Sequence, residues 1–288
     1  MSPRTLSLLS WNCFGAATGL VSFLRWRGAA DSHRFDHPEV RAAVDAPDLV
    51  CLQEVFLGDA EDFFADLTHP HKARDPNVGT WAPPTVGGSG LAIASRHPLK
   101  SSRVQPFSRP QVGSERFARK GALHVEVELD EARGLDVVTT HMQSGYHDRA
   151  GTVRIRQLEQ LRALVDQRGA PERPFVLSGD LNVCGLSSRR AHREYDALRS
   201  LFADFDDLGA SDDLPTFDPR PAKNHLARRF EPRADAQRID YVLFRGPRGG
   251  WMRPRALELD LVEPLEGPRP THPSDHFAVR VEFELDPA

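Results

Sequence analysis

Phe175-Val176-Leu177-Ser178-Gly179-Asp180-Leu181-Asn182 is the stretch on which the fold turns. Three consecutive apolar residues suit a strand covered on both faces. The strand then closes on an acid and, two residues later, an amide. Burying a lone carboxylate costs on the order of several kcal/mol unless a partner or a metal compensates. An apolar strand that ends this way is therefore pointing its end at something polar.

The pattern recurs along the chain. Trp11 leads to Asn12, and Val50-Cys51-Leu52 leads to Gln53 and Glu54. Val137-Val138 leads to Thr140, His141 and Gln143, and Arg238-Ile239 leads to Asp240. Ser274-Asp275-His276 stands ahead of a last apolar run. Each has a bland reading when taken alone. Asp180 and Asn182 could form an Asx turn at Gly179, His141 could be a hydrogen-bonded core histidine, and Asp240 could pair with Arg238. Taken together they point to strand ends that converge on one polar pocket.

Between these points the periodicity predicts strands over 6–14, 48–55, 91–95, 123–129, 135–142, 175–181, 239–244 and 277–285. It predicts helices over 38–46, 59–67 and 152–167. The segment 208–238 is rich in proline and charge and has weak periodicity, and loops of that length are usually functional. Strands and helices do not strictly alternate, which favours two packed sheets with outer helices over one parallel sheet.

Composition excludes several classes. The 288 residues carry a net charge of −4 with histidines neutral, which is no footprint for non-specific DNA binding. Two arginine clusters, 189/190/193 and 228/229/233, read as solvated surface or as a groove for an anion. Cys13, Cys51 and Cys184 are odd in number and widely spaced, which argues against a zinc site and a disulfide framework. No run approaches the roughly 20 apolar residues of a membrane span. Residues 1–10 lack the pattern of a secretory leader. The expected location is the cytoplasm, or secretion if a leader has been removed.

The chemistry of the polar set is coherent. Carboxylate and amide oxygens suit hard cations such as magnesium or manganese. Two histidines with nearby carboxylates suit proton transfer and stabilisation of a charged transition state. No GxSxG motif and no GxxxxGK[ST] loop is present, so acyl transfer and nucleoside-triphosphate hydrolysis lack their usual signals.

In chain order, Trp11-Asn12, Leu52-Gln53-Glu54-Val55, Thr140-His141, Gly179-Asp180-Leu181-Asn182, Arg238-Ile239-Asp240-Tyr241 and Ser274-Asp275-His276 resemble the endonuclease/exonuclease/phosphatase superfamily. The resemblance implies a four-layer α/β/β/α sandwich, with two packed mixed β-sheets flanked by helices, in one domain over residues 1–288. It implies hydrolysis of a phosphoester by an activated water with Mg2+ as cofactor and Mn2+ as substitute. Glu54 is then the principal metal ligand, with Asn12 beside it and Asp275 touching metal or water. Asp180 orients or deprotonates the attacking water, and Asn182 holds the phosphate or that water. His141 stabilises the phosphoryl oxygens, and His276 is the second catalytic histidine with Asp240 as its orienting partner.

Four strings look like the neutral sphingomyelinase branch. They are residues 90–99, Lys120-Gly121-Ala122-Leu123, His141-Met142-Gln143 with residues 153–158, and Pro215-Thr216-Phe217-Asp218-Pro219 with Asn224. This branch implies a phospholipid headgroup as substrate, peripheral membrane contact and a phosphate contact for Lys120, whose alternative is a surface charge. A DNA or RNA nuclease and an inositol-phosphate phosphomonoesterase are the alternatives on the same core. Unlike exported or membrane-bound relatives, the sequence shows neither an export signal nor hydrophobic anchors. Trp81 and Trp251 are candidates either for lipid contact or for core packing.

Overall fold

The computed structural model describes residues 4–15, 32–56, 58–78, 81–82, 85–86, 88–108, 111–112, 119–189, 192–267 and 271–287. Strand parity explains its architecture. In β1 (Arg4–Asn12), Leu6 and Leu8 belong to one apolar cluster, while Leu9 and Trp11 belong to another. β2 (Leu49–Gln53) repeats the split, with Leu49 and Cys51 on one side and Val50 and Leu52 on the other. Successive side chains of a strand point to opposite faces, so a strand apolar at every position must be covered twice.

The first cluster lies between two sheets. Leu6, Leu8, Leu49, Cys51 and Ile93 meet Leu123, Val125, Val137, Val176 and Val242 there. The second packs the outer face of the first sheet against helices α1 (Pro38–Asp45) and α2 (Asp59–Asp66), through Val40, Val44, Phe63 and Phe64. A third packs the second sheet against α3 (Asp148–Arg168) and α4 (Arg193–Leu201), through Leu158, Leu161, Leu164, Val165 and Leu198. The result is the four-layer α/β/β/α sandwich. Truncating one inter-sheet residue such as Leu8 to Ala would cost about 2–5 kcal/mol.

β3 (His71–Arg74), β6 (Ala92–Ser95), β13 (Met252–Asp260) and β14 (Ala278–Leu285) complete the first sheet, in the order β13-β14-β1-β2-β6-β3. The second runs β11-β12-β10-β9-β8-β7. Its strands are β7 (Leu99–Pro106), β8 (Gly121–Glu128), β9 (Gly134–His141), β10 (Phe175–Asp180), β11 (Asp206–Asp207) and β12 (Asp240–Arg245). A short ribbon, β4 (Trp81–Ala82) with β5 (Thr85–Val86), stands apart. In each large sheet a central pair, β1–β2 or β9–β10, is parallel and its neighbours are antiparallel. A parallel pair requires a crossover, and the crossovers contain α1 and α3 respectively.

The predicted elements are all present within a few residues of their expected ends. The strands β3, β4, β5, β7, β11 and β13 and the helix α4 have no counterpart in the sequence reading. β7 and β13 are the outer edges of their sheets and expose most of their residues. They therefore carry charges and no period-2 apolar signal, as edges that avoid aggregation do. Helix α4 buries Leu198 alone among its residues. The segment 208–238 holds one further short helix, α5 (His225–Phe230).

Candidate active site

The inner faces of both sheets change character along the strands. In β1 the inward row runs Leu6, Leu8, Ser10, Asn12, and in β2 Leu49, Cys51, Gln53. In β9 it runs Leu135, Val137, Thr139, His141, and in β10 Val176, Ser178, Asp180. All four parallel strands thus turn polar towards their carboxyl ends, where the inter-sheet core stops. The buried Gln53 amide joins the two sheets by donating to Thr139 Oγ1 at 2.8 Å. Register places Asn12 beside Gln53, His141 beside Asp180, and Asp180 beside Asp240.

Three exits from these strands use left-handed backbone at non-glycine residues: Phe14 (φ 54°), Glu54 (φ 63°) and Asn182 (φ 52°). Such conformations are costly and persist where the surroundings over-determine them. Gly179 is required for a related reason. Its φ is 129°, and a Cβ there would lie 2.1 Å from the Thr140 carbonyl of the adjoining strand.

Asp180, 2% exposed, is the hub. Its Oδ1 accepts the N–H of Asn182 at 2.9 Å, which is the Asx turn foreseen as the bland reading. Its Oδ2 faces Asn12 Nδ2 at 3.1 Å, His141 Nε2 at 3.3 Å and His276 Nε2 at 3.9 Å. Burial alone would raise the Asp180 pKa. The charge and hydrogen bond of His141, with His276 and Lys120 behind them, overrule burial and hold the carboxyl well below its ordinary range. Lys120 is itself buried and acts through this charge; it is not among the residues lining the cavity described below.

His276 Nδ1 and Asp240 Oδ2 are 2.8 Å apart. Burial opposes a charge on His276, but the carboxylates of Asp240, Asp275 and Asp180 outweigh it and push the pKa well above the usual histidine value. Arg238, the partner suggested for Asp240 by sequence proximity, instead pairs with Asp207 at 2.7 and 2.9 Å. Asp240 is fixed from the long segment: Thr216 Oγ1 accepts the N–H groups of Ile239 and Asp240, both at 3.1 Å. Asn224 of the same segment donates to the Ser274 carbonyl at 2.9 Å.

Glu54 faces Asn12 Nδ2 at 3.4 Å and His141 Nδ1 at 4.0 Å through Oε1, while its buried Oε2 has no hydrogen-bond partner. Burial pushes the Asp275 carboxyl up to about 6; His276 opposes the rise and the charge of Glu54 adds to it. A buried carboxylate, Asp275, and a half-buried one, Glu54, whose buried Oε2 is orphaned, repel each other and form a hard-oxygen site that fits a divalent cation. Asn12 directs Oδ1 to the Phe14 N–H at 3.1 Å, so joining that set as an oxygen donor would require its amide to turn over. The ligating atoms of Asp180, Asp240 and His276 also lie within 4.8 Å of one another. Asp240 Oδ2 and His276 Nδ1 are already bonded to each other, while the buried Oδ1 of Asp240 has no hydrogen-bond partner.

These residues open into a cavity of about 910 Å3 lined by Asn12, Glu54, His141, Asp180, Asn182, Asp275 and His276, but not Asp240. Its walls add residues the sequence reading did not name as candidates, among them Tyr146, Arg154, His192 and Glu194. Arg189 also lines it and pairs with Asp235 at 3.0 Å; Arg190 lies outside the described residues. Trp251 packs against the inter-sheet core beneath Arg133, and the side chain of Trp81 is outside the described residues. Among the described residues no helix is long and apolar enough to cross a membrane.

The profile of the endonuclease/exonuclease/phosphatase family matches residues 9–276. Sphingomyelinase C 2 of Leptospira interrogans is 23% identical over 68% of this chain and 33% of its own length. The chain spans between a third and a half of the length of the curated relatives it matches. Sphingomyelinase C from Streptomyces griseocarneus superposes with a TM-score of 0.73 at 23% identity, over 97% of this chain and 99% of that one. A Staphylococcus aureus beta toxin mutant with bound magnesium ions gives 0.75 at 18%, over 99% and 100%. D. rerio TDP2 complexed with single strand DNA product gives 0.70 at 18%, over 97% and 99%.

Proposed function

The chain belongs to the endonuclease/exonuclease/phosphatase family, a family of phosphoric ester hydrolases, and from that premise we propose that it is a divalent-metal-dependent phosphodiesterase whose favoured substrate is a phospholipid headgroup. The observation that carries the proposal is one buried, ionised carboxylate, Asp180, held between two histidines at the floor of a large polar cavity. The phospholipid preference is supported by the sphingomyelinases among its relatives and by a net charge of −4, which does not favour nucleic acid.

Asp180, kept ionised by its neighbours, orients the attacking water and accepts its proton as the water oxygen bonds to phosphorus. His276, kept protonated by the Asp240 carboxylate, supplies positive charge and a proton beside the reacting phosphorus. His141 and Asn182 receive the phosphoryl oxygens, and Lys120 secures the charge state of Asp180 from behind. Glu54 and Asp275, with Asn12, would hold Mg2+, for which Mn2+ is the substitute. When bound, the ion supplies Lewis-acid polarisation and charge neutralisation at the phosphoryl group. Three free thiols, Cys13, Cys51 and Cys184, accord with the reducing compartment that completes the proposal.

Sphingomyelin vesicles supplied with Mg2+ provide the test. The wild-type protein is expected to release phosphocholine, and Asp180→Ala to abolish the release. Nicking of plasmid, or phosphate release from inositol phosphates, by a wild-type protein inert on every phosphocholine lipid would move the substrate to nucleic acid or to monoesters.

A further inference from the structure

Each parallel strand pair is held at its exit by a buried arginine from its own crossover. Arg34, 1% exposed, lies in the turn Ser32–Asp36 between β1 and β2. Its Nη1 donates to the Cys13 carbonyl at 2.7 Å and to the Pro273 carbonyl, and its Nη2 donates to Phe14 at 2.8 Å. It thus joins the loop just past Asn12 to the segment just before Ser274-Asp275-His276. Ser274 Oγ makes a second tie by donating to the Asn12 carbonyl at 2.6 Å.

Arg154, 6% exposed, lies in α3, between β9 and β10. Its Nη1 donates to Gln143 and Gly145 carbonyls at 3.0 and 2.8 Å, in the loop just past His141, while Nη2 reaches Glu194 Oε1 at 3.0 Å. The neighbouring Gln157 accepts the Gln143 N–H at 2.8 Å.

Burying a guanidinium is expensive, and Arg34 has no carboxylate within ion-pair distance among the described residues. A planar fork of five N–H groups can span carbonyls from separate segments, whereas an ammonium offers one point. We infer that Arg34 and Arg154 are a matched pair of positioning residues. Arg34 sets the geometry of the cation-binding half of the site, and Arg154 sets the geometry of His141. The inference rests on the proposed phosphodiesterase and its cation site for its kinetic and Mn2+ parts, and on the hydrogen bonds of the two arginines for the remainder.

Lysine at either position keeps the charge and loses the fork, so Arg34→Lys and Arg154→Lys isolate positioning. Three quantities are measured on the full chain: Mn2+ affinity, turnover of bis(p-nitrophenyl) phosphate, and amide hydrogen exchange. Arg34→Lys is expected to weaken Mn2+ binding about 10–100-fold, as changes behind a metal ligand do, and to speed exchange at 13–15 and 271–276. Arg154→Lys should leave Mn2+ affinity at the wild-type value, lower kcat about 100-fold with little change in KM, and speed exchange at 142–147. Equal losses of both properties in the two variants, tracking melting temperature, would overturn the inference, as would wild-type behaviour in both. If the lysine variants do not fold, Arg34→Gln and Arg154→Gln carry the same cross-comparison. If the wild type turns over no phosphodiester, the catalytic reading falls, while the Mn2+ and exchange measurements still decide this one.

Discussion

The two parallel strand pairs are built alike and end differently. β1–β2 and β9–β10 each sit at the middle of a six-stranded sheet, share a polar turnover of their inner faces, and have a buried arginine at the exit. At the second pair Asp180 has partners in Asn182, Asn12 and His141, and its antiparallel neighbour Asp240 is bonded to His276 through Oδ2, while its buried Oδ1 has no hydrogen-bond partner. At the first pair the histidine is farther off, with His141 Nδ1 4.0 Å from Glu54. Glu54 keeps an orphaned buried oxygen, and the Asp275 carboxyl is pushed up to about 6 by burial, with Glu54 adding to the rise. One scaffold thus ends in two ways, according to how closely histidines meet the strand-end acids. In the proposed mechanism the second pair handles protons and the first holds the cation.

That division can be broken by variants whose effects separate. The largest effect is expected for Asp180→Ala, with kcat falling about 1,000-fold or more and Mn2+ affinity changing little; a parallel collapse of metal binding would show that the halves are not distinct. Glu54→Gln should act the opposite way. Mn2+ affinity is expected to fall by more than the roughly 10–100-fold of an outer-sphere change, and excess metal should restore turnover. Asp240→Asn removes the strongest of the charges that raise His276. Its kcat should fall roughly 10–100-fold, consistent with a general acid–base contribution of about 10²–10⁴. The alkaline limb of its pH–rate profile should move to lower pH.

The smallest effect concerns stability. Burial and the neighbouring His225 push His272 down to about 4, and its Nδ1 accepts the His225 N–H at 3.1 Å at the start of α5. The folded ring stays neutral while the unfolded ring, near the usual value of about 6.5, takes up a proton. The stability this contributes is complete above that value and is lost as pH falls towards 4. Urea unfolding of His272→Gln between pH 8 and 4 should show a flatter pH dependence than the wild type.

Much of the site could be read from the sequence because its residues interrupt apolar strands. Asn12, Glu54, His141, Asp180, Asn182, Asp275 and His276 line one cavity, and Asp240 stands behind His276. Arg34 and Arg154 could not be read that way. An arginine in a turn or on a helix has the local pattern of a solvated charge, and only the carbonyls that fold around it make it internal. Lys120 was legible as a candidate, but the action of its charge on Asp180 was not. The polar edge strands β7 and β13 were missed because exposed edges carry no apolar alternation.

Sequence by itself determined the strands, the covered faces and the polar residues that end them, since side-chain period and the cost of burying a charge act between near neighbours. Only the tertiary structure decided which of those ends meet. Asn12 reaches Asp180 across 168 positions, and Trp11 reaches the His276 carbonyl across 265. Contacts at that range are set by strand pairing within a sheet and by how the two sheets pack face to face, and no local stretch of the chain encodes them.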